Sequence, residues 1–251
     1  MPIYPIELSQ FPRLNRIPRP EISRVWVEAR NEASLQLLHQ LPDQGLAVVG
    51  TRTPHPRALH LTRALLEALR GTQKIIISGL ARGIDHAAHE AALVFGLPTI
   101  AVLGHGIHHT YPESSYRLRE TIVSAGGLIL SEFDPDSEPR PYRFVQRNRL
   151  IAAWSQATCV MQAGYRSGAL LTADYALQLD RLVFAAPHFP GEVGFEGNER
   201  LLDEFSVHSL WGAHSLGACW LELATIGKKF LQPSFLPDQN ARSLKNPASS
   251  L

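Results

Sequence analysis

Four short apolar runs, each closed by a glycine and followed by a helical pattern, constrain this chain more than any other feature. Leu46–Val49 leads into Gly50, Lys74–Ile77 into Gly79, Pro98–Leu103 into Gly104, and Thr158–Met161 into Gly164. Apolar runs of this length without alternation read as strands covered on both faces. Ile22–Val27, Leu128–Leu130 and Leu182–Ala185 read as further strands. Between them lie helical patterns at Arg57–Arg70, from the turn after Ser78 to Phe95, and at Ser114–Ser124, Arg147–Ser155 and Leu170–Leu179. Strands alternating with helices at this spacing predict an α/β fold, a mostly parallel sheet with helices on both faces. Such sheets bind ligands beyond the carboxyl ends of their strands, where the strand order reverses. The four glycines lie at those ends.

Composition narrows the function classes. With 45% hydrophobic and 19% charged residues in 251, the chain has the makings of a soluble protein with a substantial core. No window approaches the length of a membrane span. The N-terminus, with Pro2, Pro5, Pro12, Pro18 and Pro20, lacks the apolar stretch of a signal peptide, so a cytoplasmic location is expected. Two cysteines, Cys159 and Cys219, suggest neither a disulfide framework nor a zinc cluster, and Cys159 reads as a buried small hydrophobe. Residues 1–44 read as an extended arm and a short helix, Glu32–Leu41, stopped by Pro42. Residues 45–215 form the main domain, and 216–251 a largely disordered tail.

The turn Ser78-Gly79-Leu80-Ala81-Arg82-Gly83 opens a helix beginning Ile84-Asp85-His86. Free N–H groups of a first helical turn suit an anion, most simply a phosphate, and Asp85 is placed to cap the helix. The same residues also fit an ordinary βα turn. Arg52, directly after a strand and a glycine, is placed to set a guanidinium over a phosphate. Ser167 reads as the N-cap of another helix start, with Gly168 and Thr172 beside it. A net charge of only +1 means that any nucleic-acid site must come from local clustering, and Arg140, Arg143, Arg147 and Arg149 supply one. Gly104-His105-Gly106 lacks the third glycine of a dinucleotide fingerprint and no phosphate-loop motif is present, which argues against a conventional NTPase or dehydrogenase. His105, His108 and His109 read as an exposed loop trio rather than a metal site. Ser78, Asp85 and His86 match a hydrolytic triad only as residue types. No cofactor or metal is expected.

Taken together, six motifs resemble the DNA-processing protein A (DprA/Smf) family. They are Gly50-Thr51-Arg52; Ser78 to Asp85 with Ala88-His89; Thr99 to Gly106 with Tyr111-Pro112; Ser131-Glu132; Arg147 to Ala152; and Ser167 to Ala173 with Ala176. The resemblance implies an extended Rossmann-like domain that binds single-stranded DNA, forms a homodimer and delivers the strand to the RecA recombinase in natural transformation. It implies no enzymatic activity and no membrane partner. Carried over by motif, Gly50, Thr51, Arg52 and the turn Ser78, Gly79, Ala81, Arg82 and Gly83 would hold phosphates. Arg147, Asn148 and Arg149 would line the pocket, and Ser167, Gly168 and Thr172 would close it. The chain departs from the family pattern at Phe144-Val145-Gln146, at Gln162 and around Pro187–Gly191. The alternative is a nucleotide-binding or nucleotide-hydrolysing protein of the phosphoribohydrolase type, with Glu132 the residue to watch for such chemistry.

Overall fold

The computed structural model describes residues 1–11, 17–188, 192–204 and 207–210. Its strands are β1 (Ile3–Glu7), β2 (Arg24–Glu28), β3 (Gly45–Gly50), β4 (Ile75–Ser78), β5 (Thr99–Leu103), β6 (Leu128–Ser131), β7 (Ala157–Gln162), β8 (Leu182–Ala185) and β9 (His208–Ser209). Its α-helices are α1 (Gln36–Gln44), α2 (Pro56–Ala68), α3 (Ile84–Val94), α4 (Tyr116–Ser124), α5 (Pro141–Ala153), α6 (Gly168–Gln178) and α7 (Glu196–Glu204). Among the described residues the strands form one sheet in the order β1-β2-β6-β5-β4-β3-β7-β8-β9. The ladders from β6 to β9 are parallel, and β2 joins them antiparallel. The expected α/β architecture is thus present, with its order reversing at β3, which lies between β4 and β7.

Period-two alternation explains how apolar runs serve two cores. Ala47 and Val49 on β3, with Ile75 and Ile77 on β4, pack beneath α1, α5 and α6. Leu46, Val48 and Ile76 point the opposite way, against α2 and α3. Farther along the sheet, Ala101, Leu103 and Ile129 meet α4 on that second side. Every second side chain therefore reaches a different helical layer, and both layers exclude water. Cys159 is buried in the second layer, as its strand position implied.

Three local expectations change. Residues 3–7, read as part of an arm, form β1 and pair antiparallel with β2. Pro5 is accommodated there because an edge strand leaves one row of amides without a ladder partner. The first helix does not stop before position 42: α1 continues to Gln44, and the Gly45 amide still reaches the Leu41 carbonyl. Finally, α5 starts at Pro141 rather than Arg147, with proline at the first position, where a missing amide costs least. Cys219, residues 189–191 and the expected tail lie outside the described residues.

One helix–strand contact carries a pH signature. His89 on α3 is fully buried, its Nδ1 2.7 Å from Thr99 Oγ1 at the start of β5. Burial lowers its pKa from 6.5 to about 3. The folded chain thus refuses a proton that the unfolded chain accepts, so this contribution to stability is full above the unfolded pKa and drains as pH falls toward 3. Between pH 7 and pH 5 the loss from this residue is about 2 kcal/mol. Urea midpoints across that range should show it, and His89→Leu should remove that part of the slope whatever it does to absolute stability.

Candidate functional site

Beyond the carboxyl ends of β3, β4 and β7 lies a cleft of about 640 Å³. Its walls come from the loop after β3 (Gly50, Thr51, Arg52), the turn after β4 (Ala81), the inner face of α5 (Phe144, Arg147, Asn148) and the first turn of α6 (Ser167, Gly168, Thr172). A cleft at the reversal point of a parallel sheet is where this architecture takes its ligands.

The floor holds two buried groups, Asp85 and Arg147, each hydrogen-bonded to the backbone of the turn after β4. Asp85 is buried, and its carboxylate accepts the Gly79 amide at 3.1 Å and a bond from the Ala81 amide. The turn that read as an anion cradle is therefore occupied by the chain's own carboxylate. Asp85 does not cap α3; Gly83, at φ +82°, holds that position. Burial pushes the Asp85 carboxyl up, while Arg147 and the two amides draw it back down. From α5, Arg147 Nη1 donates to the Gly79 carbonyl at 2.9 Å and to the Val102 carbonyl, and Nε to Asn148 Oδ1 at 3.2 Å. Burial lowers its pKa to about 10, so the guanidinium remains charged at neutral pH. Leu80 in the same turn sits at φ +56° with its side chain buried, a conformation costly for leucine.

The rim is different in character. Arg52 is exposed, with its guanidinium 5.8 Å from the centre of the Phe144 ring, and Tyr111 lies 5.4 Å from that ring. Gln162 fastens the loop beneath Arg52: its backbone carbonyl accepts from Thr51 N at 2.7 Å and its Oε1 from His55 N at 2.7 Å. Across the cleft stand Tyr165 and Arg166, both exposed, at the entrance to α6. Ser167 caps that helix by accepting from Ala169 N at 3.3 Å, as expected, and Asn148 Nδ2 ties α5 to the Gly168 carbonyl at 3.0 Å. Cation and aromatic ring side by side on a groove suit a single nucleic-acid strand, whose phosphates and bases each find a partner.

Residues 33–214 match the DNA recombination-mediator protein A family. The chain belongs to that family. It is 41% identical over 170 residues to Protein Smf of Escherichia coli strain K12, a match covering 68% of this chain and 46% of that protein. Among solved structures, DNA processing protein A from Helicobacter pylori, described for its single-stranded DNA binding mode, aligns with a TM-score of 0.75 at 25% identity. That alignment covers 88% of this chain and 96% of the other. DNA processing protein A from Streptococcus pneumoniae aligns with a TM-score of 0.70 at 29% identity, over 85% of this chain and 78% of the other. The chain spans about half the length of the curated relatives it matches.

In this member of the DNA recombination-mediator protein A family, the residues singled out by motif separate into two groups. Gly50, Thr51, Arg52, Ala81, Arg147, Asn148, Ser167, Gly168 and Thr172 meet at the cleft. Ser78 is spent on the Val48 carbonyl at 2.6 Å, and Gly79 and Gly83 support the wall from behind. Arg82 is exposed on the same turn without lining the cleft. Arg149, expected to line the pocket, is instead sealed beneath α5, where Nη2 pairs with Glu132 Oε2; their side chains are 0% and 2% exposed. That pairing leaves Glu132 outside the lining of the cleft. His105, read as exposed, is buried with its ring edge-on to Phe144 at 6.2 Å. No cluster of metal-ligating side chains occurs among the described residues.

Sequence reading passed over Phe144, Val145, Tyr165 and Arg166. The signal for Phe144 was its spacing: three residues before Arg147 it shares a helix face with it once α5 begins at Pro141.

Breaking a buried pair strands the remaining charge. Glu132→Ala should destabilise the fold by about 3–5 kcal/mol, read as a lower urea midpoint. A double variant, Glu132→Ala with Arg149→Met, should recover much of that loss.

Proposed function

We propose that this chain binds single-stranded DNA in the cleft and acts by binding, without turnover of a substrate. On this reading it works in the cytoplasm as a homodimer, protects incoming or exposed strands, and hands them to the RecA recombinase during natural transformation and recombination. The observation that carries the reading is the exposed Arg52 guanidinium beside Phe144 and Tyr111 at the mouth of a cleft closed by the α6 N-terminus. Phosphate oxygens suit the guanidinium and the helix N-terminus, and unpaired bases suit the rings. The cleft's volume falls in the range of small-ligand sites and gives room for splayed nucleotides. Family membership and the Helicobacter pylori neighbour's single-strand binding mode support the same direction. Gly50, Thr51, Ala81, Asn148, Ser167, Gly168 and Thr172 would shape the phosphate path, with Arg166 and Tyr165 as the opposite bank.

No helix among the described residues is long and apolar enough to cross a membrane. A net charge of +1 means attraction to DNA must come from the rim itself, not from a general positive field.

The test is binding of a fluorescent oligo-dT strand against a matched duplex at two salt concentrations. Tighter, salt-sensitive binding of the single strand is the expected result. Arg52→Ala should weaken it by at least about tenfold, the loss of one charge-assisted phosphate contact of about 1.5–3 kcal/mol. Equal affinity for duplex and strand, or an Arg52→Ala variant that binds as the wild type does, would sink the proposal.

A further inference from the structure

Arg147 lines the same cleft as Arg52, yet its Nη1 and Nε donors are committed within the protein. Nη1 serves two backbone carbonyls, Gly79 at the end of β4 and Val102 on β5, and Nε serves Asn148. The residue is 4% exposed. Asp85 is near enough to favour its charged form, while burial pushes the Asp85 carboxyl itself up. A phosphate arriving at this point would meet a guanidinium whose Nη1 and Nε are already hydrogen-bonded within the protein.

The turn is also built around that guanidinium. A Cβ on residue 79 would stand 2.5 Å from its nitrogens, closer than real side chains approach. A Cβ on residue 104 would likewise strike Phe144, at 2.6 Å from its ring. Two glycines at adjacent strand ends thus open the space in which α5 seats Arg147 and Phe144. One guanidinium on α5 then joins the ends of β4 and β5. Onward from Arg147, Asn148 carries the connection to the Gly168 carbonyl and the opposite bank.

We propose that Arg147 is a positioning residue for single-strand binding: its guanidinium locks the Gly79–Gly83 turn to α5, and so sets Phe144 and Asn148 on the rim, without holding a phosphate itself. This rests on the single-strand reading of the cleft. A planar fork meets two carbonyls and a side-chain amide at once; the single ammonium of lysine keeps the charge but loses that geometry. Contact and positioning therefore part company in the lysine variant.

The experiment measures affinity for fluorescent oligo-dT across a salt series for the wild type, Arg52→Gln, Arg147→Gln and Arg147→Lys, with amide hydrogen exchange on each. Removing a phosphate contact makes the salt dependence of log Kd shallower by about 0.7 on a single strand. Arg52→Gln should show that change and serves as the reference. Arg147→Gln and Arg147→Lys should each weaken binding by about tenfold or more, leave the salt slope at the wild-type value, and speed exchange locally at Gly79–Gly83 while the remaining sheet stays protected. A slope that falls in Arg147→Gln as far as in Arg52→Gln would overturn the inference and make Arg147 a phosphate ligand. So would wild-type affinity in Arg147→Lys, which decides the matter even if Arg147→Gln does not fold. Absence of salt-sensitive strand binding by the wild type would remove the cleft reading itself, and this inference with it.

Discussion

Burying the Arg147 guanidinium is the interaction on which the functional end of this molecule depends. Taking such an ion out of water costs several kcal/mol unless its donors and its charge are both met. Here two backbone carbonyls accept from Nη1, Asn148 accepts from Nε, and the nearby Asp85 favours the charged form. The two carbonyls stand at one level because β4 and β5 run parallel in register, Ile76 opposite Thr99 and Ser78 opposite Ala101. Shifting that register by a residue would carry one carbonyl away and leave a buried cation under-satisfied. The strand register, the glycine at 79, the left-handed Leu80 and the placement of α5 are thus held by a single set of bonds.

The arginines of one short stretch meet three different fates, and the differences follow from desolvation. Arg147 donates to two backbone carbonyls at the cleft floor. Arg149, two residues later and so on another side of α5, is matched by Glu132 in the core. Burial lowers the pKa of this second guanidinium too, with Glu132 acting against the shift. Arg143 is half-buried against the Phe133 and Tyr142 rings and donates to the Glu138 carbonyl at 2.7 Å. A count of positive charges over this stretch therefore overstates what a polyanion would meet. The cations presented at the cleft mouth are Arg52 and Arg166, from loops distant in sequence.

Much of the fold was legible because its signal is local. The strands before Gly50, Gly79 and Gly104 show as apolar runs, and the Ser167 cap shows as serine ahead of a helical pattern. The start of α5 was obscured by charged residues over its first turns, although Pro141 marked it. That misreading hid Phe144, whose role depends on sharing a helix face with Arg147. Asp85 was misread for a different reason: a carboxylate in a first helical turn looks like a cap, and only the folded turn shows it reaching back to the Gly79 amide.

By itself the sequence determined the architecture and the location of the cleft, since alternating apolar runs and helices leave few arrangements and place the strand-end loops together. Which arginine faces solvent was decided by tertiary structure alone. Every guanidinium carries the same charge in the sequence. Whether it is desolvated depends on acceptors brought from afar, 68 residues away for the Gly79 carbonyl and 45 for that of Val102. No local pattern encodes that meeting, because it exists only once the parallel strands have stacked their ends beneath α5.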